Sequence, residues 1–126
     1  MNQTANASIP LVDICSIFKG TIIDVYYVIK EQEHIYKSEI LQKFVEHDDD
    51  PNCKPTKYRL IMDIAVAKLE GACLIASYND GAKERYFRTE YGIMAEDILS
   101  HMLDQTPSIL HGSKILAKIL NVGANK

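Results

Sequence analysis

Apolar residues recur every three or four positions along most of the chain, which is the spacing of amphipathic helices. The first such stretch, residues 11–32, is divided by Gly20, and Thr21 is a suitable N-cap for its second half. The many β-branched residues of this half are also compatible with a strand, although the spacing favours a helix. The same spacing predicts four further helices, at residues 37–46 behind a Ser38 cap, 56–70, 93–103 and 108–120.

The stretch CLIASYNDGAKERYFRTEYG at 73–92 departs from helical spacing. Residues 74–76 have the pattern of a short strand, Asn79-Asp80-Gly81 is a turn sequence that needs a positive φ, and residues 85–88 return as a second strand. The tripeptide His-Ile-Tyr at 34–36 fits a further short strand. The pattern therefore predicts a mainly α-helical chain with a small β-hairpin.

The composition is typical of one globular domain, since 47% of the 126 residues are hydrophobic and 25% are charged. No apolar run approaches the roughly 20 residues that cross a bilayer, and the polar start MNQTANASIP lacks the features of a signal peptide. Three cysteines without a C-x-x-C pair argue against disulfides and zinc. We therefore expect a reduced, cytoplasmic protein that has no part in the membrane.

Three parts are expected along the chain. Residues 1–10 are predicted to be a disordered polar tail, residues 11–106 one domain, and residues 107–126 a C-terminal helical part. The last part has more apolar side chains than a monomer of this size needs, which makes it a candidate dimerisation element of a homodimer. Packing of this helix on its own core explains the same side chains equally well.

The net charge of −3 by itself disfavours a polyanionic partner. The charge is unevenly distributed, however, because residues 54–88 have seven basic and four acidic residues, a balance of +3, while the remainder has −6. A basic middle segment in an acidic chain is the electrostatic pattern of nucleic-acid binding, with ordinary solvated surface charge as the alternative.

The order of helix, short strand, helix, loop, helix, basic hairpin and helix resembles the winged helix-turn-helix family, in particular its small bacterial and archaeal transcription regulators. The resemblance covers about residues 21–103 and depends on VAKLEGACLI at 66–75, YNDGAKERYF at 78–87 and RTEYG at 88–92. The last phrase is similar to the Thr-x-x-Gly that closes the wing in such regulators. Cys73 stands where many relatives have glycine, so we expect the preceding helix to end differently.

The resemblance implies a winged-helix domain with an extra C-terminal helix, acting as a sequence-specific, double-stranded DNA-binding transcriptional regulator. Residues 56–70 would form the recognition helix, whose start approaches base edges in the major groove, and residues 74–88 the basic wing. Such binding requires no cofactor. The residues implied to contact DNA are Lys54, Thr56, Lys57, Arg59, Lys83, Arg85 and Arg88.

Strand alternation separates the three wing cations, because Lys83 and Arg85 lie on one face of a hairpin and Arg88 on the other. The three side chains therefore cannot all point the same way. We expect Arg85, which is near the tip, to matter most.

The predicted recognition helix is apolar on both sides, with Leu60, Ile61 and Ile64 opposite the residues that face the core. A helix that reads a groove normally has polar residues outward. Either other helices of the chain cover the second side, or the second side forms a protein interface. Two alternative functions therefore stay open: a winged-helix protein–protein interaction module, and a DNA-binding protein of plasmid or chromosome maintenance.

The loop HDDDPNC at 47–53 gathers a histidine, three carboxylates and a cysteine. Its spacing fits neither an EF-hand nor a tetrahedral zinc site, so a solvated acidic loop is the favoured interpretation. Next to Lys54 and Lys57, such a loop would temper non-specific attraction to DNA. Motifs for nucleotide binding or hydrolysis do not occur, and the sequence therefore predicts neither a metal site nor an enzyme.

Overall fold

The computed structural model describes residues 9–121, which form a mainly α-helical fold with one small antiparallel sheet. The predicted fold class is therefore confirmed at the level of helices and a small hairpin. Residues 1–8 of the predicted tail and residues 122–126 of the predicted C-terminal part lie outside the described residues. The elements are α1 (Leu11–Ile14), a 3₁₀ turn (Cys15–Ile17), α2 (Thr21–Glu31), β1 (Ile35–Tyr36), α3 (Lys37–Glu46), α4 (Thr56–Gly71), β2 (Ile75–Asp80), β3 (Lys83–Arg88), α5 (Glu90–Gln105), a second 3₁₀ turn (Pro107–Leu110) and α6 (Leu116–Asn121).

The sheet has the strand order β1-β3-β2, with β3 in the centre. Strand β2 pairs with β3 along its whole length, and β1 adds two residues on the other side of β3. A two-residue turn, Gly81-Ala82, closes the hairpin, and Gly81 has the positive φ, 70°, that such tight turns require. Of the predicted turn Asn79-Asp80-Gly81, only Gly81 lies in the turn, because Asn79 and Asp80 pair with Glu84 and Lys83 at the end of β2. Both strands are longer than expected because their polar ends show no apolar alternation.

The core lies between α2, α4 and the inner face of the sheet. Helix α2 is buried on most of its surface, so its sequence shows no clear polar side. For this reason the sequence alone was also compatible with a strand. The helix favoured by its spacing is confirmed. Its Tyr26 is fully buried and donates a hydrogen bond from its hydroxyl to the carbonyl oxygen of Gly92, 2.6 Å away, which joins α2 to the first turn of α5.

Helix α4 ends in a Schellman motif. The N–H of Leu74 donates to the carbonyl of Leu69 at 3.0 Å, and the N–H of Cys73 donates to the carbonyl of Glu70 at 2.9 Å. Both leucines are fully buried, which supplies the apolar contact that accompanies the motif. Cys73 adopts a φ of 63°, a conformation that favours glycine. Cys73 therefore ends the helix in the left-handed conformation although it has a Cβ.

Thr89 joins the two ends of the hairpin to α5. Its hydroxyl donates to the carbonyl of Cys73 at 2.6 Å and accepts the N–H of Gly92 at 3.0 Å, so that Thr89 is the N-cap of α5. Its own N–H donates to the carbonyl of Leu74 at 3.1 Å. The Thr-x-x-Gly phrase thus has a local physical role in this chain, which is to fix the base of the hairpin against the next helix.

Predictions about helix boundaries are wrong in two places. Ser38 is not the cap of α3, because the helix begins after Tyr36, whose N–H donates to the Glu39 carboxylate at 3.0 Å. The predicted continuous helix at 108–120 is broken, since the 3₁₀ turn ends at Leu110 and Gly112 has a φ of 89°. Regular helix resumes only in α6, which contacts α2.

Candidate nucleic-acid interface

Four predicted site residues lie together on the surface at the start of α4. Lys54, Thr56, Lys57 and Arg59 are all exposed, because the intervening Tyr58 turns inward and is buried. No side chain caps this helix, and its first turn has no acidic residue. The N–H groups of Lys57 and Tyr58 instead donate to the carbonyls of Lys54 and Pro55, at 3.1 and 3.0 Å. The positive end of the helix dipole therefore lies beside three cations, without a carboxylate from its own first turn.

The acidic loop contacts this cluster through one carboxylate. Asp48 accepts hydrogen bonds from the Lys57 ammonium at 2.7 Å, from the Tyr58 hydroxyl, and from the N–H of Asp50 at 2.7 Å. The hydrogen bonds from Lys57 and Tyr58 hold the pKa of Asp48 far below its usual range, and the carboxylate in turn raises the pKa of Lys57. Part of the charge at the start of α4 is therefore already compensated within the chain.

We expect Asp48→Asn to lower the melting temperature by a few degrees at neutral pH, because the neutral amide loses its ionic partner. A carboxylate whose pKa is depressed by folding stabilises the fold above its unfolded pKa of about 3.9 and loses this contribution as the pH falls. The difference between wild type and variant should therefore shrink below about pH 4. Thermal unfolding across this range measures it.

Asp49→Asn is the matched control, since Asp49 is a fully exposed neighbour that only pairs with Lys118 at the surface. This variant should change the melting temperature much less. An Asp48→Asn difference that stays constant down to pH 2 would show that the ionised carboxylate is not the stabilising group.

Arg85, the strongest wing candidate, is held by groups of the chain itself. Its Nε donates to the Asp80 carboxylate at 2.6 Å, its Nη1 to the carbonyl of His34 at 2.8 Å, and its Nη2 to the Tyr36 hydroxyl at 2.7 Å. The guanidinium also lies 4.1 Å from the centre of the Tyr36 ring. The hydrogen bond from Arg85 lowers the pKa of Asp80. Arg85 therefore ties β1 to the hairpin, and little of its charge is left for a ligand.

Lys83 lies on the same outer face of the sheet, closer to the tip. Its ammonium is 5.2 Å from the centre of the Tyr36 ring, and it has no ion pair within the part of the chain that the structure describes. Its side chain is exposed. Lys83 is therefore the wing cation that is most accessible to a ligand.

Arg88 is an internal residue. Its Nε donates to the Glu33 carboxylate at 2.7 Å, its Nη1 donates to Glu96 at 2.9 Å, and only 11% of its side chain is exposed. The predicted separation of Arg88 from the other wing cations agrees with this placement. Its guanidinium joins β3 to α5 and to the segment after α2, so Arg88 drops out of the proposed contact surface. The sequence pattern could not predict the ion pair with Glu33, because this residue is 55 positions away in sequence.

The surface between α4 and the hairpin is acidic. Tyr86 donates to the Glu84 carboxylate at 3.1 Å, while burial first, and then this contact and the charges of Glu70 and Asp63, raise the pKa of Tyr86. Of these carboxylates, Asp63 pairs with Lys37 at 2.9 Å. The cations at the start of α4 and those of the wing are therefore separated by carboxylates and do not form one continuous basic surface.

The outward side of α4 is apolar. Leu60 is 71% exposed and Ile64 is 47% exposed, whereas Ile61 is partly buried. No helix within residues 9–121 covers Leu60 or Ile64, so of the two interpretations of this side, coverage by the chain's own helices does not hold for these two residues. They lie next to the cationic cluster on the same helix.

The three carboxylates of the acidic loop point to different partners. Asp48 meets Lys57, Asp49 meets Lys118, and Asp50 accepts the N–H of Asn52 at 2.9 Å. Residues 9–121 contain no group of three or more His, Cys, Asp or Glu side chains arranged to hold a metal ion. Within the same residues, none of the helices is both long enough and apolar enough to cross a membrane.

No family model, curated protein or solved structure matches this chain.

Proposed function

We propose that the chain is a winged-helix protein that binds double-stranded DNA through the start of α4 and regulates transcription by occupying its site. The observation that carries the proposal is the exposed cluster of Lys54, Thr56, Lys57 and Arg59 at the uncapped start of a 16-residue helix. Helix, short strand, two helices and hairpin follow one another in the order of the winged-helix family that the sequence resembles. In this proposal α4 is the recognition helix.

Binding of this kind begins with the phosphates. Lys54, Lys57 and Arg59 would neutralise backbone charge, and the positive end of the α4 dipole would add to this attraction. Lys83 would add a contact at the tip of the hairpin. Arg85 and Arg88 would act indirectly, because they hold the hairpin in place. Binding would tolerate many sequences at the phosphates and select among them through the outward residues of α4.

We expect the logarithm of the affinity for duplex DNA to fall linearly with the logarithm of salt concentration, with a slope of about −0.9 per phosphate contact. Arg59→Ala and Lys54→Ala should each reduce the magnitude of the slope by about one contact. Lys30→Ala is the matched control, because Lys30 pairs with Glu31 and Glu96 outside the proposed surface. Fluorescence anisotropy over a salt series measures the affinity of the wild type and of the three variants.

Absence of duplex binding at low salt would contradict the proposal. Arg85→Ala serves as a further check, since its internal contacts imply lower thermal stability with little change of slope. If DNA is bound, footprinting on genomic DNA separates a regulator with discrete promoter sites from a maintenance protein with long or repeated sites.

A protein–protein interaction module is the second candidate function. Two observations favour it: the apolar outward side of α4 around Leu60, and the carboxylates of Asp63, Glu70 and Glu84 beside it. Exposed apolar surface rimmed by charge is typical of protein interfaces. In this case the substitution Arg59→Ala would be without effect on function, and duplex DNA would not bind even at low salt.

The contact between the two subunits of the proposed homodimer would lie on α6. Leu116 is buried in the core of its own chain, as is Ile115 just before the helix, whereas Ile119 and Leu120 are exposed. The apolar residues of this segment thus divide between the two roles considered from the sequence. The first pair packs on the chain's own core, and the second pair remains for a partner subunit, which would bring two copies of α4 to two half-sites.

A further inference from the structure

The side of α4 that points away from the core has a defined set of residues. Tyr58, Met62, Ala65, Val66 and Leu69 face the core, and at 100° per residue the direction opposite to them passes through a line of five residues. All five are exposed. This outer line consists of Thr56, Leu60, Ile64, Ala67 and Gly71.

The outer line is unlike a surface that reads bases through hydrogen bonds. It contains no arginine, lysine, asparagine or glutamine, the side chains that pair with guanine or adenine in the major groove. The carboxylate of Asp63, on the same helix, forms an ion pair with Lys37 at 2.9 Å. Leu60 and Ile64 can make only apolar contacts, and the one apolar group that base pairs present in the major groove is the C5-methyl of thymine.

Cations lie on both sides of the outer line, which favours duplex DNA as the occupant. The exposed Lys57 and Lys68 lie on one side of the line. The exposed Arg59 lies on the other side at the start of the helix, and the carboxylates of Asp63 and Glu70 follow on that side further along. Neither Arg59 nor Lys68 forms an ion pair among residues 9–121. A helix in the major groove has a phosphate backbone on each side, which is where these cations would lie.

We infer that α4 recognises thymine methyl groups through Leu60 and Ile64, and that its target sites are therefore rich in A·T pairs under these residues. The inference rests on the proposed DNA binding and specifies its chemistry. Phosphate contacts hold the helix in the groove, and the apolar outer line selects sequences by excluding water between its side chains and the methyl groups.

Deoxyuridine tests this inference directly, because it keeps every hydrogen-bonding group of thymidine and lacks only the methyl. The purified full chain is first used to select duplexes from a randomised pool. The selected duplex is then synthesised with thymine or with uracil, and both are titrated by anisotropy at one salt concentration. We expect enrichment of A·T pairs, and an affinity about fourfold lower for each contacted methyl that is removed.

Leu60→Ala should abolish most of the difference between the thymine and uracil duplexes. The substitution is compatible with folding, since Leu60 is largely exposed. Met94→Ala, which removes another exposed apolar side chain from α5 outside the proposed surfaces, is the matched control and should preserve the difference. Loss of discrimination in Leu60→Ala alone assigns the methyl contact to the outer line.

Three results would overturn the inference, and they differ in what they leave standing. Equal affinity for the thymine and uracil duplexes would remove methyl recognition but leave DNA binding in place. Failure to bind any duplex at low salt would remove the proposed function as well. A change of oligomeric state of the free protein on Leu60→Ala, measured by sedimentation, would assign the outer line to contacts between copies of this chain.

Discussion

Replacing Gly92 with alanine is expected to lower the free energy of unfolding by more than about 3 kcal/mol. A Cβ atom at this position would lie 1.9 Å from the carbonyl oxygen of Leu74 and 3.1 Å from the Cβ of Arg88. The Leu74 carbonyl cannot retreat easily, because it accepts the N–H of Thr89 at the base of the hairpin. Relief of the clash would move the first turn of α5 away from the hairpin.

The displaced turn would also weaken the hydrogen bond from the Tyr26 hydroxyl to the Gly92 carbonyl. Urea denaturation measures the loss, and the near-ultraviolet circular dichroism of the tyrosines reports the change in packing. Gly71→Ala is the matched control: Gly71 is also helical, but a Cβ there would have no atom within 4 Å. Alanine should leave stability unchanged or raise it slightly. Equal stability of both variants would contradict the close approach at Gly92.

Replacing Asp24 with alanine is expected to cost about 3 kcal/mol of stability and to release the segment that leads into α6. Asp24 is the fully buried carboxylate of α2, and it accepts the Ser113 hydroxyl at 2.6 Å and the N–H groups of Lys114 and Leu116 at 2.6 and 2.9 Å. Hydrogen bonds to a charged acceptor are among the stronger ones in proteins. Without the carboxylate, these donors lose their partner, and the Leu116 N–H loses it inside the core.

Hydrogen exchange of the Leu116 amide, together with urea denaturation, checks this expectation. Asp97→Ala is the matched control, since Asp97 is an exposed aspartate on α5 and makes no such contacts among residues 9–121. Asp24→Asn should be intermediate, because the amide keeps the volume but has one acceptor oxygen in place of two. Unchanged exchange at Leu116 in Asp24→Ala would show that the packing of Ile115 and Leu116 alone fixes this segment.

The helices of this chain were predictable where their apolar spacing reports a buried face, as in α3 and α4. The break at Gly112 was not, because the segment after it is held by Asp24, whose partners lie 89 to 92 positions away. Local sequence shows a continuous apolar pattern through residues 108–120, and only the tertiary contact shows where the chain has to turn. Likewise Cys73 adopts a conformation that its own side chain disfavours, because the buried Leu69 and Leu74 determine how α4 ends.

Periodicity predicted which contact residues are exposed at the start of α4, but it did not do so in the hairpin. Around Tyr58 the helical period correctly places Lys57 and Arg59 outside. In the hairpin, alternation assigns Arg88 to a face but cannot show that Glu33 and Glu96 meet it there. Charge in a sequence indicates a ligand only after its internal partners are known, and these are set by the packing of distant elements.

The double attachment of Thr89 bears on how a ligand would meet the hairpin. Because this residue is bonded to both Cys73 and Leu74 on the opposite strand end, the hairpin cannot swing about its base. Arg85 restrains it again through His34. A surface that is preorganised in this way loses little conformational entropy on association. Because it adapts little, its partner has to match the existing shape, and partners of a different shape bind weakly.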